Sequence, residues 1–413
     1  MIHSTSSITS PATRHSAHRA PWLTPLFLTL AGIALLLASC TGSGGTTADY
    51  NVKVYEPAYA SGFEILGQEG KQSTIIKVSS PWQGESTPAR ELFIQRDGEA
   101  VPSGFEGQII TGDAERIVCM SSTQIAMLQV VDASKNVVGV SGLDFITSQD
   151  IQSRRAEIGD VGYEGNIDYE LLVSLKPDLV LLYGVFGPDP MEERLGQLGI
   201  PYMYVGEYVE ESPLGKAEWM VAVAEALGKR QRAEEVFQPI PEMYENLKKT
   251  VAQSGRKAPK VMLNMPYRDS WFLPPSNSYL VTLVKDAGGE YIYKDNNTRS
   301  SKAIDMEEAY LLTSQADKWI NLGSDMTTVA DVKEALPKFA NLPVVQQGEL
   351  YNNTERTTAA GGNDFYESGV VNPDLVLRDM IKVLHPSLID APYTYYRQLP
   401  QQPQPAQPES SEE

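Results

Sequence analysis

The chain has 413 residues, with 34 Lys and Arg against 53 Asp and Glu and a formal net charge of −19. So acidic a chain lacks the basic surface that a phosphate backbone demands, which excludes a nucleic-acid partner. The two cysteines exclude a disulfide framework, and of the four histidines only His385 lies beyond the first 18 residues, which excludes direct imidazole capture of zinc or manganese.

At the start, Arg14 and Arg19 precede an uncharged stretch, 20–37, whose dense apolar part is 26–37, and small residues stand before Cys40. The apolar run is shorter than the roughly 20 residues of a membrane span, so residues 1–39 are predicted to be a removed signal peptide. Its removal takes the formal charge from −19 to −21, since it holds two arginines and no acid. Cys40 is then the candidate lipidation site; the alternative is a secreted chain in which Cys40 is incidental. Residues 40–49, rich in Gly, Ser and Thr, are expected to form a flexible tether.

Residues 50–110 read as a β-rich appendage: Val52 and Val54, Phe63 and Ile65, 74–78 and 92–94 are punctuated by Gly and Pro at hairpin intervals. From Glu115 onward short apolar strands alternate with amphipathic helices, the pattern of a mostly parallel sheet with helices on its faces. In a first lobe, 111–211, strands are predicted at 116–119, 137–140, 178–182 and 202–205, and helices at 123–131, 168–175 and 190–198. Cys119 falls in the first strand, as a small core residue rather than a reactive thiol.

Ser212 and Pro213 cap and open a helix that Gly228 ends. A second helix, 229–253, would be bent by Pro239 and Pro241 and reach about 37 Å, as a strut between lobes. This linker, 212–256, is expected to cross once to a second lobe, 257–397, with strands at 260–264, 318–322 and 350–352 and helices at 279–287, 305–314 and 373–384. Residues 398–413 are Pro, Gln, Ser and Glu with little to bury and predict a disordered tail. The expected fold class is α/β, two lobes joined by a long linker helix with an N-terminal β-appendage. One continuous sheet with a long insertion is the alternative.

No Gly-x-Ser-x-Gly elbow accompanies the lone His385, the Walker pattern fails around Gly70 and Lys71, and no Gly-x-Gly-x-x-Gly follows the first strand of either lobe. What remains is a set of turns just past strand ends, where open α/β sheets place ligands. In the first lobe these turns hold Ser122, Thr123, Phe145 and Tyr183, although 121–124 also reads as a helix cap. The second lobe offers Tyr267, Arg268, Trp271, Arg356, Phe365 and Tyr366, with core packing equally open to Trp271 and Tyr366. An aromatic pocket with few polar anchors suits a large, flat, partly apolar ligand. Arg268, Arg299 and Arg356 could fork onto an anionic chelate, or form surface ion pairs. A second class of function stays open, a lipoprotein enzyme acting on a glycan with Asp144 and Asp364 as acid and base.

The segment GNIDYELLVSLKPDLV at 165–180 resembles the signature segment of periplasmic receptors for iron-siderophore and cobalamin importers. DAGGEYIYKD at 286–295 resembles the turn after the first helix of the second lobe in the same receptors, and LASC at 37–40 resembles the bacterial lipobox. The resemblance covers about residues 112–390 and leaves the appendage without a role. It implies a monomeric, non-enzymatic receptor with no intrinsic cofactor, anchored through an acylated Cys40 in the cell envelope. A ferric siderophore ranks first as ligand, then cobalamin or another corrinoid, then haem. Its partners would be the permease subunits of an ABC importer with their ATPase. In that family a glutamate on each lobe docks onto permease arginines: Glu170, seven residues before Pro177, matches the first, and Glu308, seven before Gln315, the second, with Glu307 competing.

Overall fold

The first part of the chain forms a five-stranded sheet: β1 (Val52–Tyr55), β2 (Phe63–Gly67), β3 (Thr74–Val78), β4 (Arg90–Gln95) and β5 (Gln108–Thr111), paired in that order. In β2 the odd positions Phe63 and Ile65 turn inward, as a half-covered strand requires. The computed structural model describes residues 45–79, 81–83, 88–163, 165–298 and 300–402. The predicted leader, Cys40, Arg299 and residues 403–413 lie outside the described residues.

The next sheet is parallel throughout, in the order β10-β9-β6-β7-β8, from β6 (Ile117–Cys119), β7 (Val137–Val140), β8 (Gly159–Asp160), β9 (Leu179–Leu182) and β10 (Tyr202–Tyr204). Every residue of β9 is buried, because helices cover both faces of a parallel sheet. A separate sheet forms the second lobe in the order β14-β11-β16-β17-β18: β11 (Lys260–Leu263), β14 (Glu290–Tyr291), β16 (Lys318–Ile320), β17 (Leu350–Asn352) and β18 (Arg397–Gln398). Its strands are parallel except the last, and β12 (Pro266–Tyr267), β13 (Ser270–Leu273) and β15 (Lys302–Ile304) make a small antiparallel sheet beside it. Two sheets in two lobes, not one continuous sheet, is thus the architecture.

The helix Pro213–Glu225 opens as its sequence predicts, Ser212 Oγ accepting from Gly215 N at 3.3 Å. It is buried at nearly every position, Glu218 and Glu225 included. Such burial of carboxylates requires partners, and the appendage supplies them. Glu218 accepts from Tyr55 Oη and from the amides of Ala58, Tyr59 and Ala60 at 2.7 to 2.8 Å. Glu210, just before the helix, accepts from the amides of Ser61 and Gly62 and from Trp219 Nε1. Glu225 accepts from Thr74 Oγ1, Arg96 and Arg230.

Three expectations change. The strut is two helices, Arg230–Phe237 and Ile240–Gln253, because Pro239 and Pro241 have no amide to continue the ladder. The second of them, about 21 Å long, packs on Pro373–Leu384. The expected tether is in part structured: Ser103 N donates to Gly45 O at 2.8 Å, and Thr47–Asp49 forms a 3-10 turn. The start of the expected tail is folded too, since β18 pairs with β17, Leu399 is buried, and its amide donates to Leu350 O at 2.9 Å.

Candidate functional site

At the carboxyl end of β6, Ser121 caps the helix Ser122–Val130 and its Oγ lies 2.9 Å from Thr123 Oγ1. Thr123 Oγ1 in turn donates to Glu207 Oε1 at 2.7 Å, across from the end of β10. The helix cap and the bond to Glu207 are therefore made by the same short segment. Glu207 is buried, and its Oε2 has no hydrogen-bond partner. Lys216, half-buried on the linker helix, donates to Glu207 O at 2.8 Å and sits 5.3 Å from the centre of the Tyr279 ring, the first residue of the second-lobe helix Tyr279–Asp286.

From Tyr279 the polar lining continues through the second lobe. The Tyr279 hydroxyl is pushed up, first by burial and then by Tyr366 and Tyr395. Asn321, one residue past β16, takes a left-handed φ of 63°, which asparagine tolerates better than most residues. Its Oδ1 and the hydroxyl of neighbouring Tyr396 are both buried and do not meet hydrogen-bond geometry. Past β17, Asn353 Nδ2 is likewise without a partner, and so is Asn352 Oδ1 at its end. Buried polar atoms are almost always paired; among the described residues nine side-chain atoms are not, and Glu207, Asn321, Asn352, Asn353 and Tyr396 carry five of them.

Tyr366 lies at the open side of this lining: it keeps 55% of its surface accessible, and its hydroxyl is raised, first by burial, with Asn353 opposing.

Of the residues expected at a ligand site, Thr123 and Tyr366 lie in this lining, Ser122 is the first residue of the helix that Ser121 caps, and half-buried Tyr183 follows β9. Trp271 lies instead in the second-lobe core: fully buried, it donates from Nε1 to Leu263 O at 2.9 Å and packs on Trp319 and Phe339. Phe365 is buried against Tyr366, Tyr395 and Tyr396. Arg356 pairs with Asp364 at 3.3 Å. Arg268 and Tyr267 are exposed at the β12–β13 turn, with the guanidinium 5.2 Å from the ring centre. Glu207, Lys216, Tyr279, Asn321, Asn353 and Tyr396 carry no local sequence signal that marks them as a set.

Phe145 belongs to a seam between the lobes. Its carbonyl oxygen lies so near Gly362 that a Cβ there would fall 1.9 Å away. Beside it Thr358 Oγ1 donates to Asp144 O at 2.9 Å, Thr147 Oγ1 to Asp364 Oδ1 at 3.1 Å, and the amides of Thr147 and Ser148 to the Glu367 carboxylate at 2.7 and 2.8 Å. Asp144 pairs with Arg155 and Asp364 with Arg356, so both acids of the glycan-enzyme alternative have structural partners.

The docking candidates occupy helix N-termini. Asp168 caps Tyr169–Ser174 and Asp305 caps Met306–Thr313, with Glu170, Glu307 and Glu308 all exposed. A further hollow of about 530 Å³ lies between β4 and β10, where Arg90 and Tyr204 are spent on Glu192 at 3.2 and 2.8 Å. Among the described residues no three His, Cys, Asp or Glu side chains converge to hold a metal ion, and no helix is long and apolar enough to cross a membrane.

Residues 117–357 match the model of a family described as periplasmic binding protein. An uncharacterized lipoprotein of Methanocaldococcus jannaschii is 26% identical over 324 residues, 74% of this chain and 75% of its own length. Among solved structures, a periplasmic binding protein from Veillonella parvula aligns with a TM-score of 0.54 at 12% identity, over 76% of this chain and 99% of its own. A periplasmic haem binding protein from Pseudomonas aeruginosa aligns at 0.52 and 19% identity, over 66% and 94%. At these identities the structural likenesses show the fold.

Proposed function

The chain belongs to the periplasmic binding protein family, and from that premise we propose that it is the substrate-binding lipoprotein of an ABC importer. It binds a metal chelate, a ferric siderophore first, in the cleft between its lobes and hands it to the permease. The observation that carries this reading is the set of buried polar atoms without partners on Glu207 of the first lobe and on Asn321, Asn353 and Tyr396 of the second, with accessible Tyr366 beside them. Arg268, with no acidic partner within 4 Å among the described residues, supports an anionic chelate at the rim. Haem is the second reading, favoured by the phenols of Tyr279, Tyr366 and Tyr396 and by the ligand of the Pseudomonas aeruginosa protein. Burial raises all three hydroxyls, which disfavours a phenolate ligand to iron and keeps haem second.

Anchoring through Cys40 is supported by the lipoprotein names of two Methanocaldococcus jannaschii relatives. Docking would use Glu170 on the first lobe. Counted from the capping aspartates, Glu307 stands where Glu170 does, two residues on, which favours it over Glu308. The experiment is to incubate the purified protein with ferric siderophores, corrinoids and haem, remove free ligand, and record the spectrum. One retained, unmodified chromophore is expected; retention of none, or turnover of a glycan, defeats the reading.

A further inference from the structure

We infer that Lys216, on the linker helix, is the anchor for a negatively charged group of the ligand, so the cleft selects net-anionic chelates. The inference rests on the receptor reading above and adds to it the charge of the cargo and the side chain that reads it.

An ammonium has three donors. One N–H of Lys216 goes to Glu207 O at 2.8 Å, and the ring of Tyr279 lies at 5.3 Å. No carboxylate lies within 4 Å of Lys216 among the described residues, and no other acceptor takes its remaining hydrogens. The charged groups that face it are Glu207 and Glu210. Glu210 is engaged by Ser61, Gly62 and Trp219, and Glu207 accepts from Thr123 at Oε1 while its Oε2 has no hydrogen-bond partner. Burial still outweighs the two of them and pulls the Lys216 ammonium below the ordinary lysine range. A cation whose neighbours do not offset its desolvation gains most from an anion that arrives with the ligand.

The position fits this task. Lys216 lies on a helix that meets both lobes, between Glu207 of the first and Tyr279 of the second. A carboxylate or catecholate oxygen placed there would accept the two remaining N–H groups, with the rings of Tyr279 and Tyr366 beside it. Arg356, which the sequence also offers for this role, is held by Asp364.

The test compares two probes of similar size, a net-anionic ferric tricatecholate and a neutral ferric trihydroxamate, by fluorescence quenching. The wild type should bind the anionic probe more tightly. Lys216→Met should weaken the anionic probe at least about tenfold, the scale of one charge-assisted hydrogen bond, while the neutral probe changes less than about threefold. Lys216→Arg should restore most of the loss, and unchanged thermal unfolding of both variants would separate binding from folding. If the wild type binds a probe and Lys216→Met binds the anionic one equally well, the anchor is refuted and the receptor reading survives. If the wild type retains neither probe nor any corrinoid or haem, both fall together.

Discussion

Replacing Glu218 by alanine tests how the appendage is held. The side chain is fully buried and accepts four hydrogen bonds, one from the Tyr55 phenol and three from consecutive amides at 58–60. Each buried donor left without an acceptor costs about 1–3 kcal/mol. Ala60 is buried and Ala58 and Tyr59 are open enough for water to take over part of the bonding. The expected loss is therefore about 4 kcal/mol, below the simple sum. Urea unfolding with an unchanged slope would measure it, and hydrogen exchange should rise first at residues 58–60. A second readout is specific to the contact. The Tyr55 hydroxyl is raised by burial and then by its bond to Glu218, so it should titrate at lower pH in the variant. A loss under about 1 kcal/mol with Tyr55 unmoved would refute the reasoning.

The Glu367 carboxyl is raised, first by burial, with the amides of Thr147 and Ser148 opposing and Asp364 adding to the rise. Its folded-state proton affinity exceeds that of the unfolded chain, so its contribution to stability is full below the ordinary carboxylate range and is lost as pH rises through the raised value. Glu367→Gln should flatten that part of the stability profile, and a profile identical to wild type in thermal unfolding would contradict the assignment. Glu170→Ala with Glu307→Ala should abolish uptake while leaving ligand affinity intact, and Glu170→Ala with Glu308→Ala should be milder; equal loss of affinity and uptake would count against docking. Cys40→Ala should move the protein from the membrane pellet to the soluble fraction, and continued sedimentation would defeat the anchor.

Local rules carry the element order well because its signals are local. Ser121 and Ser212 read as caps in the sequence and cap helices in the structure, and Asp168 and Asp305, expected as first residues of their helices, prove to be the caps one residue before them. The burial of Trp271 also has a local signature: in β13 positions 271 and 273 are buried while 272 is open, the period of a strand. β18 is hidden because two residues in a Gln- and Pro-rich stretch have no pattern of their own and pair only when Tyr351 and Asn352 are already in place. The cleft lining is least visible. Thr123, Glu207, Lys216, Tyr279 and Tyr396 meet through topology, and no spacing rule links positions so far apart.

The helix Pro213–Glu225 carries Lys216 between Glu207 and Tyr279 and, with Glu210 just ahead of it, supplies the three acids that hold the appendage, so the β-rich segment is no detachable module. A chain shortened to begin at residue 112 would bare Trp219, strip Glu218 of all four donors, and leave Glu210 only Trp219 and Glu225 only Arg230. Synthesis imposes the same order on the nascent chain. The appendage is made first but its acid clamps are complete only when residue 225 has followed it, so its final packing must wait for more than half of the polypeptide.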